Sequence, residues 1–106
     1  HQAWSQGVAK ARAGHDHEAL PLFVRATQMA PGQSLYWLNR SGAERRLRRT
    51  DDAIASARRA FTLDRGNAIA CQMLAELLRM NNRDREALQA LQALDPATER
   101  DAQYRI

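Results

Sequence analysis

DHEALPLFVRA at residues 16–26 returns as TDDAIASARRA at 50–60 and as DREALQALQAL at 84–94, a stride of 34 residues. Within these stretches Ala19, Ala53 and Ala87 share one phase, Phe23, Ala57 and Leu91 a second, and Ala26, Ala60 and Leu94 a third. The same stride relates Gly7, Ser41 and Ala75 upstream, and also Ala3, Trp37 and Cys71. A period of this length is that of one helix–turn–helix unit, and self-similarity at such a period marks a stacked array. Small residues recur where two helices approach closely, and larger apolar residues recur beside them to fill the gap. Catalysis imposes no such stride. Packing does.

Turn and cap signals divide the chain into seven helical segments. Residues 2–13 form the first, closed by Gly14, which suits the left-handed position after a helix. Asp16 is expected to cap 17–30, with Glu18 facing the positive helix end, and Pro31-Gly32 then breaks the chain. Ser34 is expected to cap 35–48, and Thr50 to cap 51–64 with Asp51 and Asp52 in its first turn. After the turn Arg65-Gly66-Asn67, Asn67 is expected to cap 68–80, and Asp84 to cap 85–94. Asp95-Pro96 opens a short last helix to about residue 104. Nine residues separate Ala87 from Pro96 where twelve separate Ala19 from Pro31, so the last pair has lost almost one turn. The segment carrying Tyr104 and Ile106 reads as the start of a truncated fourth repeat, or as a cap on the stack.

The pattern resembles the tetratricopeptide repeat (TPR) family. In the first repeat Gly7, Gly14, Ala19, Phe23, Ala26 and Pro31 match the family's unit. The second supplies Trp37, Ala53, Ala60, Leu63 and Asp64, with Arg65 where Pro is usual, and the third supplies Leu74, Ala75, Leu78, Ala87 and Leu91. The resemblance covers roughly residues 1–96. Gln6 and Arg40 replace a usual Leu, and Lys10 and Glu44 a usual Tyr, which predicts looser packing in the first two helix pairs. The resemblance implies an all-α fold, a right-handed superhelical stack of antiparallel helix pairs. It also implies a single domain over 1–106, with repeats at about 1–33, 34–67 and 68–96 and a terminal helix at about 96–104.

In such a stack the first helix of each pair lines a concave face. The family's groove positions fall on Trp4, Arg12, Leu35, Leu38, Asn39, Arg45, Arg46, Ile69, Gln72, Met73, Glu76 and Arg79, with Val8, Ala11, Gly42 and Met80 at the remaining ones. Arg forks grip carboxylates bidentately, while Leu, Met and Trp give sequence-tolerant contact area. The implied function is a protein-interaction module that takes an extended or helical, acidic partner segment. Chaperone-binding members carry a clamp of Lys, Asn, Asn, Lys and Arg. Those positions hold Trp4, Val8, Asn39, Ile69 and Met73 here, and only Asn39 matches. Recognition of a heat-shock chaperone's C-terminus is therefore not expected.

Bulk properties narrow the alternatives. The formal charge is +4, and all but one of the 16 basic residues are Arg, which weakly favours acidic partners. No apolar run approaches the ~18 residues of a membrane span, so a soluble protein of cytoplasm or periplasm is expected. A lone cysteine excludes an internal disulfide and any multi-cysteine metal site. Cys71, in phase with Trp37, is expected to be a small buried hydrophobe. His15-Asp16-His17 offers too few ligands for a metal. The densest charge run, Arg45-Arg46-Leu47-Arg48-Arg49, reads as helix-end electrostatics, because Asp51 and Asp52 follow it and no aromatics interleave for nucleic acid. No nucleophile–base pair, paired carboxylates or phosphate-cradling glycine loop is present, so neither an enzyme nor a cofactor is expected. The chain begins with His1 and reads as a piece of a longer protein. It could then be the accessory repeat region of a bacterial glycosyl- or sulfotransferase; RNA binding is a weaker rival, and self-association through exposed ends is open.

Overall fold

The repeated small residues fold as helix hairpins stacked side by side. The computed structural model describes residues 2–94. Six helices run in order: α1 Gln2–Arg12, α2 Asp16–Met29, α3 Ser34–Arg46, α4 Thr50–Leu63, α5 Ala68–Met80 and α6 Asp84–Gln92. Helices α1 and α2, α3 and α4, and α5 and α6 form the hairpins, and α2 on α3 and α4 on α5 join one hairpin to the next. The architecture is an all-α helical-repeat solenoid. The last expected segment, about 96–104, lies outside the described residues.

The alanines occupy the helix crossings. Ala19, Ala53, Ala57 and Ala60 are completely buried, and Ala26 and Ala87 nearly so. A side chain no larger than a methyl group lets two helix backbones close to the short end of the usual interaxial range. Larger side chains then fill the spaces between crossings. Phe23 and Leu20 pack with Ala43 in one core, with Trp4, Val8 and Leu47 around it. Leu38, Ile54, Phe61, Leu74, Leu77 and Leu78 fill the other, and Cys71 is buried among them. Leu91 departs from its phase. Phe23 and Ala57 are buried, but Leu91 is 45% exposed.

The turns within the three hairpins share one geometry, although the residue at the left-handed position differs in each. Gly14, Arg48 and Asn82, again at the repeat stride, all have left-handed backbone, with φ of 82°, 64° and 59°. In each, the next residue donates its N–H five residues back: His15 to Lys10, Arg49 to Glu44 and Arg83 to Leu78, at 2.8–2.9 Å. This is a Schellman closure, and glycine suits its left-handed position best. Arg48 carries a Cβ there, which costs roughly 1–2 kcal/mol. Arg48→Gly is therefore expected to stabilise the fold by about 0.5–1 kcal/mol after the larger unfolded-state entropy of glycine is deducted. The midpoint of a thermal melt followed by circular dichroism should rise by several degrees.

Four of the expected caps are corrected, three of them directly after these tight turns. Asp16, Ser34, Thr50 and Asp84 are the first helical residues, and the cap positions are His15, Gln33, Arg49 and Arg83, none with a capping side chain. Among the described residues only Asn67 caps as expected, accepting from the N–H groups of Ile69 and Ala70 at 3.0 and 3.2 Å. Released from capping, Ser34 donates to the carbonyl of Ala60 at 3.0 Å and so ties α3 to α4.

The expected loosening at Arg40 and Glu44 is absent from the second hairpin. Glu44 is 3% exposed. Its Oε1 accepts from Ser56 Oγ at 2.5 Å, and its Oε2 from Arg40 Nε at 3.4 Å. Arg40 Nη1 donates in turn to Thr27 Oγ1 at 3.0 Å, and its guanidinium lies over the Trp37 ring at 5.2 Å. A hydrogen-bonded chain from α2 through α3 to α4 stands where the family packs Leu and Tyr. In the first hairpin Gln6 and Lys10 are exposed, and Lys10 pairs with Glu18 across the α1–α2 hairpin at 2.8 Å.

Candidate binding groove

Leu35, Leu38, Asn39, Gly42 and Arg46 recur every three or four residues, which places them in one stripe along α3. Val8, Ala11 and Arg12 of α1 flank the stripe on one side, and Ile69 and Met73 of α5 on the other. Together with the Phe23 ring of α2 they enclose an open cleft of about 560 Å³. Its floor is apolar, and Leu35 and Ile69 remain 49% and 66% exposed. Apolar side chains left uncovered within a concavity are what a bound partner would bury.

Seven of the twelve sequence-predicted residues meet in this cleft: Arg12, Leu35, Leu38, Asn39, Arg46, Ile69 and Met73. Trp4 adjoins it through Asn39. Its Nε1 donates to Asn39 Oδ1 at 2.7 Å, and its ring stacks on Tyr36 with centroids 5.7 Å apart. Gln72, Glu76 and Arg79 lie instead in a separate hollow of about 250 Å³ with Ala75 and Leu91. Arg45 lines neither, and pairs with Glu76 across α3 and α5 at 3.4 Å. The expected arginine cluster is thus divided. Arg46 lies in the cleft but donates Nε to Asp16 Oδ1 at 2.7 Å. Arg48 serves the turn, and Leu47 packs on the first core.

The sequence reading missed two contributors. Phe23 was legible as core, and its ring also walls the cleft. Asp16 was legible as a cap, and its carboxylate holds a groove arginine 30 positions downstream; no local pattern signals that contact. Other candidate chemistry resolves into packing. Cys71 donates Sγ–H to the Ala90 carbonyl at 3.3 Å, and burial pushes its thiol pKa up, which suppresses the reactive thiolate. Among the described residues no three His, Cys, Asp or Glu side chains come together to hold a metal. No described helix is long and apolar enough to cross a membrane.

Stacked helix hairpins with an open cleft across their first helices define the class of helical-repeat solenoids. The tetratricopeptide repeat family model matches residues 45–106, more than half of the chain, and the chain belongs to that family. Solved structures agree on the fold. The second TPR of Spaghetti (RPAP3), bound to the HSP90 peptide SRMEEVD, is similar with a TM-score of 0.80 at 17% identity, over 88% of this chain and 86% of that one. The first TPR of the same protein, bound to the same peptide, has a TM-score of 0.77 at 18% identity, over 87% and 75%. MamA of AMB-1 has a TM-score of 0.81 at 22% identity, over 92% of this chain; the match spans about half of MamA, 53%. Among curated proteins none matches the chain significantly.

Proposed function

We propose that this protein is an interaction module that seats an extended or helical segment of a partner protein across α1, α3 and α5. Apolar side chains of the segment cover Leu35 and Ile69, and acidic ones lie toward Arg12 and Arg46. The observation that carries this reading is the exposure of two large aliphatic side chains on the floor of a cleft of about 560 Å³. Arg12 supports the acidic preference, since it makes no ion pair among the described residues. The two Spaghetti domains with a similar fold hold a peptide with three acidic residues, which lends weight to a peptide partner here. Their chaperone peptide itself is not the expected ligand, because the clamp positions carry Trp4, Val8, Ile69 and Met73, and the Asn39 carbonyl already accepts from Trp4.

Selection from a random peptide display library is the direct test. Wild-type protein should return segments that combine apolar with acidic residues. Leu35→Asp with Ile69→Asp should weaken the selected peptides by roughly 30-fold or more, from a dissociation constant in about the micromolar range. The melting temperature should stay nearly unchanged, because both side chains already face solvent. Selected peptides indifferent to that double substitution would overturn the groove reading.

A further inference from the structure

Gly42 lies inside α3, where glycine destabilises a helix relative to alanine. The glycine of α1 has a packing reason to be there: a Cβ at Gly7 would fall 2.7 and 2.8 Å from Cε1 and Cδ1 of Phe23. Gly42 has no such neighbour. The three atoms nearest a Cβ at that position all belong to the Arg46 guanidinium, Nη1 at 3.3 Å and Cζ and Nη2 at 4.0 Å. The missing side chain is a seat on which this guanidinium rests against the helix. Gly42 and Arg46 both line the cleft, so the seat lies within it.

Asp16 fixes the other edge of the group. It accepts from Nε at 2.7 Å, and its own side chain is largely covered, at 17% exposure, while the Arg46 side chain stays half exposed to the cleft. With Nε committed to Asp16 and Nη1 the guanidinium atom nearest Gly42, Nη1 and Nη2 keep their N–H groups for another acceptor. No described residue takes them. A planar fork held by one edge, with the remaining donors free, matches the two oxygens of a carboxylate. Arg12, at the equivalent position one repeat earlier, lines the same cleft and adds a second cation.

We infer that Asp16, Gly42 and Arg46 form a pre-set fork in the groove that binds an Asp or Glu side chain within the partner segment. Arg46 touches the ligand; Asp16 and Gly42 are positioning residues. The inference rests on the groove reading and adds a specific anchor to it. Arg46 and Arg12 stand in the last turns of α3 and α1, while Leu35 and Ile69 stand in the first turns of α3 and α5. A segment crossing the helices therefore meets cations along one edge and aliphatic side chains along the other, which suits internal acidic residues alternating with apolar ones.

The discriminating variant is Gly42→Ala, which leaves every charge in place; Arg46→Glu would set a carboxylate against Asp16 and confuse binding with stability. Two ten-residue probes, acetylated and amidated to remove terminal charge, alternate Leu with Glu in one and Leu with Gln in the other. Calorimetric titration of the wild-type protein is expected to show the Glu probe binding about ten-fold tighter than the Gln probe. In Gly42→Ala that preference should shrink to about two-fold or less, and the melting temperature should rise. Arg46→Gln should abolish the preference in the same way, and it serves as the second variant. An undiminished preference for Glu in both variants overturns the fork and leaves the groove standing. Failure of the wild-type protein to bind either probe overturns the groove reading, and the fork with it.

Discussion

Phe23→Ala is expected to destabilise the fold by about 3–5 kcal/mol, a large share of the roughly 5–15 kcal/mol that holds a small domain folded. The ring is 1% exposed and is the largest fully buried side chain. It fills the space between α1, α2 and α3 left by Gly7, Ala19 and Ala43. The partner substitution makes the prediction sharper. Gly7→Ala alone drives a methyl group to 2.7 Å from the ring and should cost about 1–3 kcal/mol as overpacking. In the Phe23→Ala background the same change meets only Leu22 Cβ, at 3.3 Å, and the helix propensity of alanine should make it stabilising by up to about 1 kcal/mol. Urea denaturation of the four proteins closes the cycle, and the expected reversal of sign is the readout. An equal cost of Gly7→Ala in both backgrounds would mean that α1 needs the glycine for some reason other than the ring.

The stride of small residues, read together with the turn and cap signals, placed every described helix, because a close helix crossing admits only small side chains and the crossings repeat. Turn chemistry was far less legible. Gly14 announced its left-handed backbone and Asn82 is a residue that tolerates it, but Arg48 adopts the same one for the sake of main-chain hydrogen bonds that leave no trace in its residue type. The caps misled for a related reason. A polar residue ahead of a helix is usually taken to serve that helix's own N–H groups, yet Ser34 reaches the carbonyl of Ala60 and Asp16 reaches Arg46.

The groove divides along the same line. The family resemblance implied groove positions at Leu35, Leu38, Asn39 and Arg46, and these four line one cleft in the structure. The electrostatics of that cleft did not follow from the resemblance. Arg45 and Arg46 are adjacent and look equivalent, but one is spent on Glu76 and the other is held by Asp16 inside the cleft. The Arg45–Glu76 pair is exposed and is worth at most about 1 kcal/mol. Its consequence is for recognition: it removes one cation from those an acidic partner would meet. Pairings of this kind depend on residues some thirty positions apart and emerge only when the hairpins stack.

Glu44→Ala is the other substitution with a large expected effect, and it tests what a polar network does inside a repeat array. Glu44 is the shared acceptor of Ser56 and Arg40, so its loss leaves a buried hydroxyl and a partly buried guanidinium unmatched. Breaking a buried pair from one side typically costs about 3–5 kcal/mol. Arg40 keeps 25% of its side chain in solvent and recovers part of that loss, which sets the expectation at about 2–3 kcal/mol. The informative counterpart removes every member at once. Arg40→Leu and Glu44→Tyr restore the residues usual in the family, and Ser56→Ala deletes the remaining donor; Thr27 stays satisfied, because its hydroxyl donates to the Val24 carbonyl at 2.7 Å. Replacing a buried ion pair by well-packed apolar groups is commonly neutral or stabilising by about 1–4 kcal/mol. The triple variant should therefore melt at or above the wild-type temperature, whereas Glu44→Ala melts well below it. A triple variant as unstable as Glu44→Ala would show instead that the network does more than satisfy its own members. Its span from α2 through α3 to α4 then assigns it the register between the first two repeats, and with it the alignment of the Arg12 and Arg46 edge of the groove.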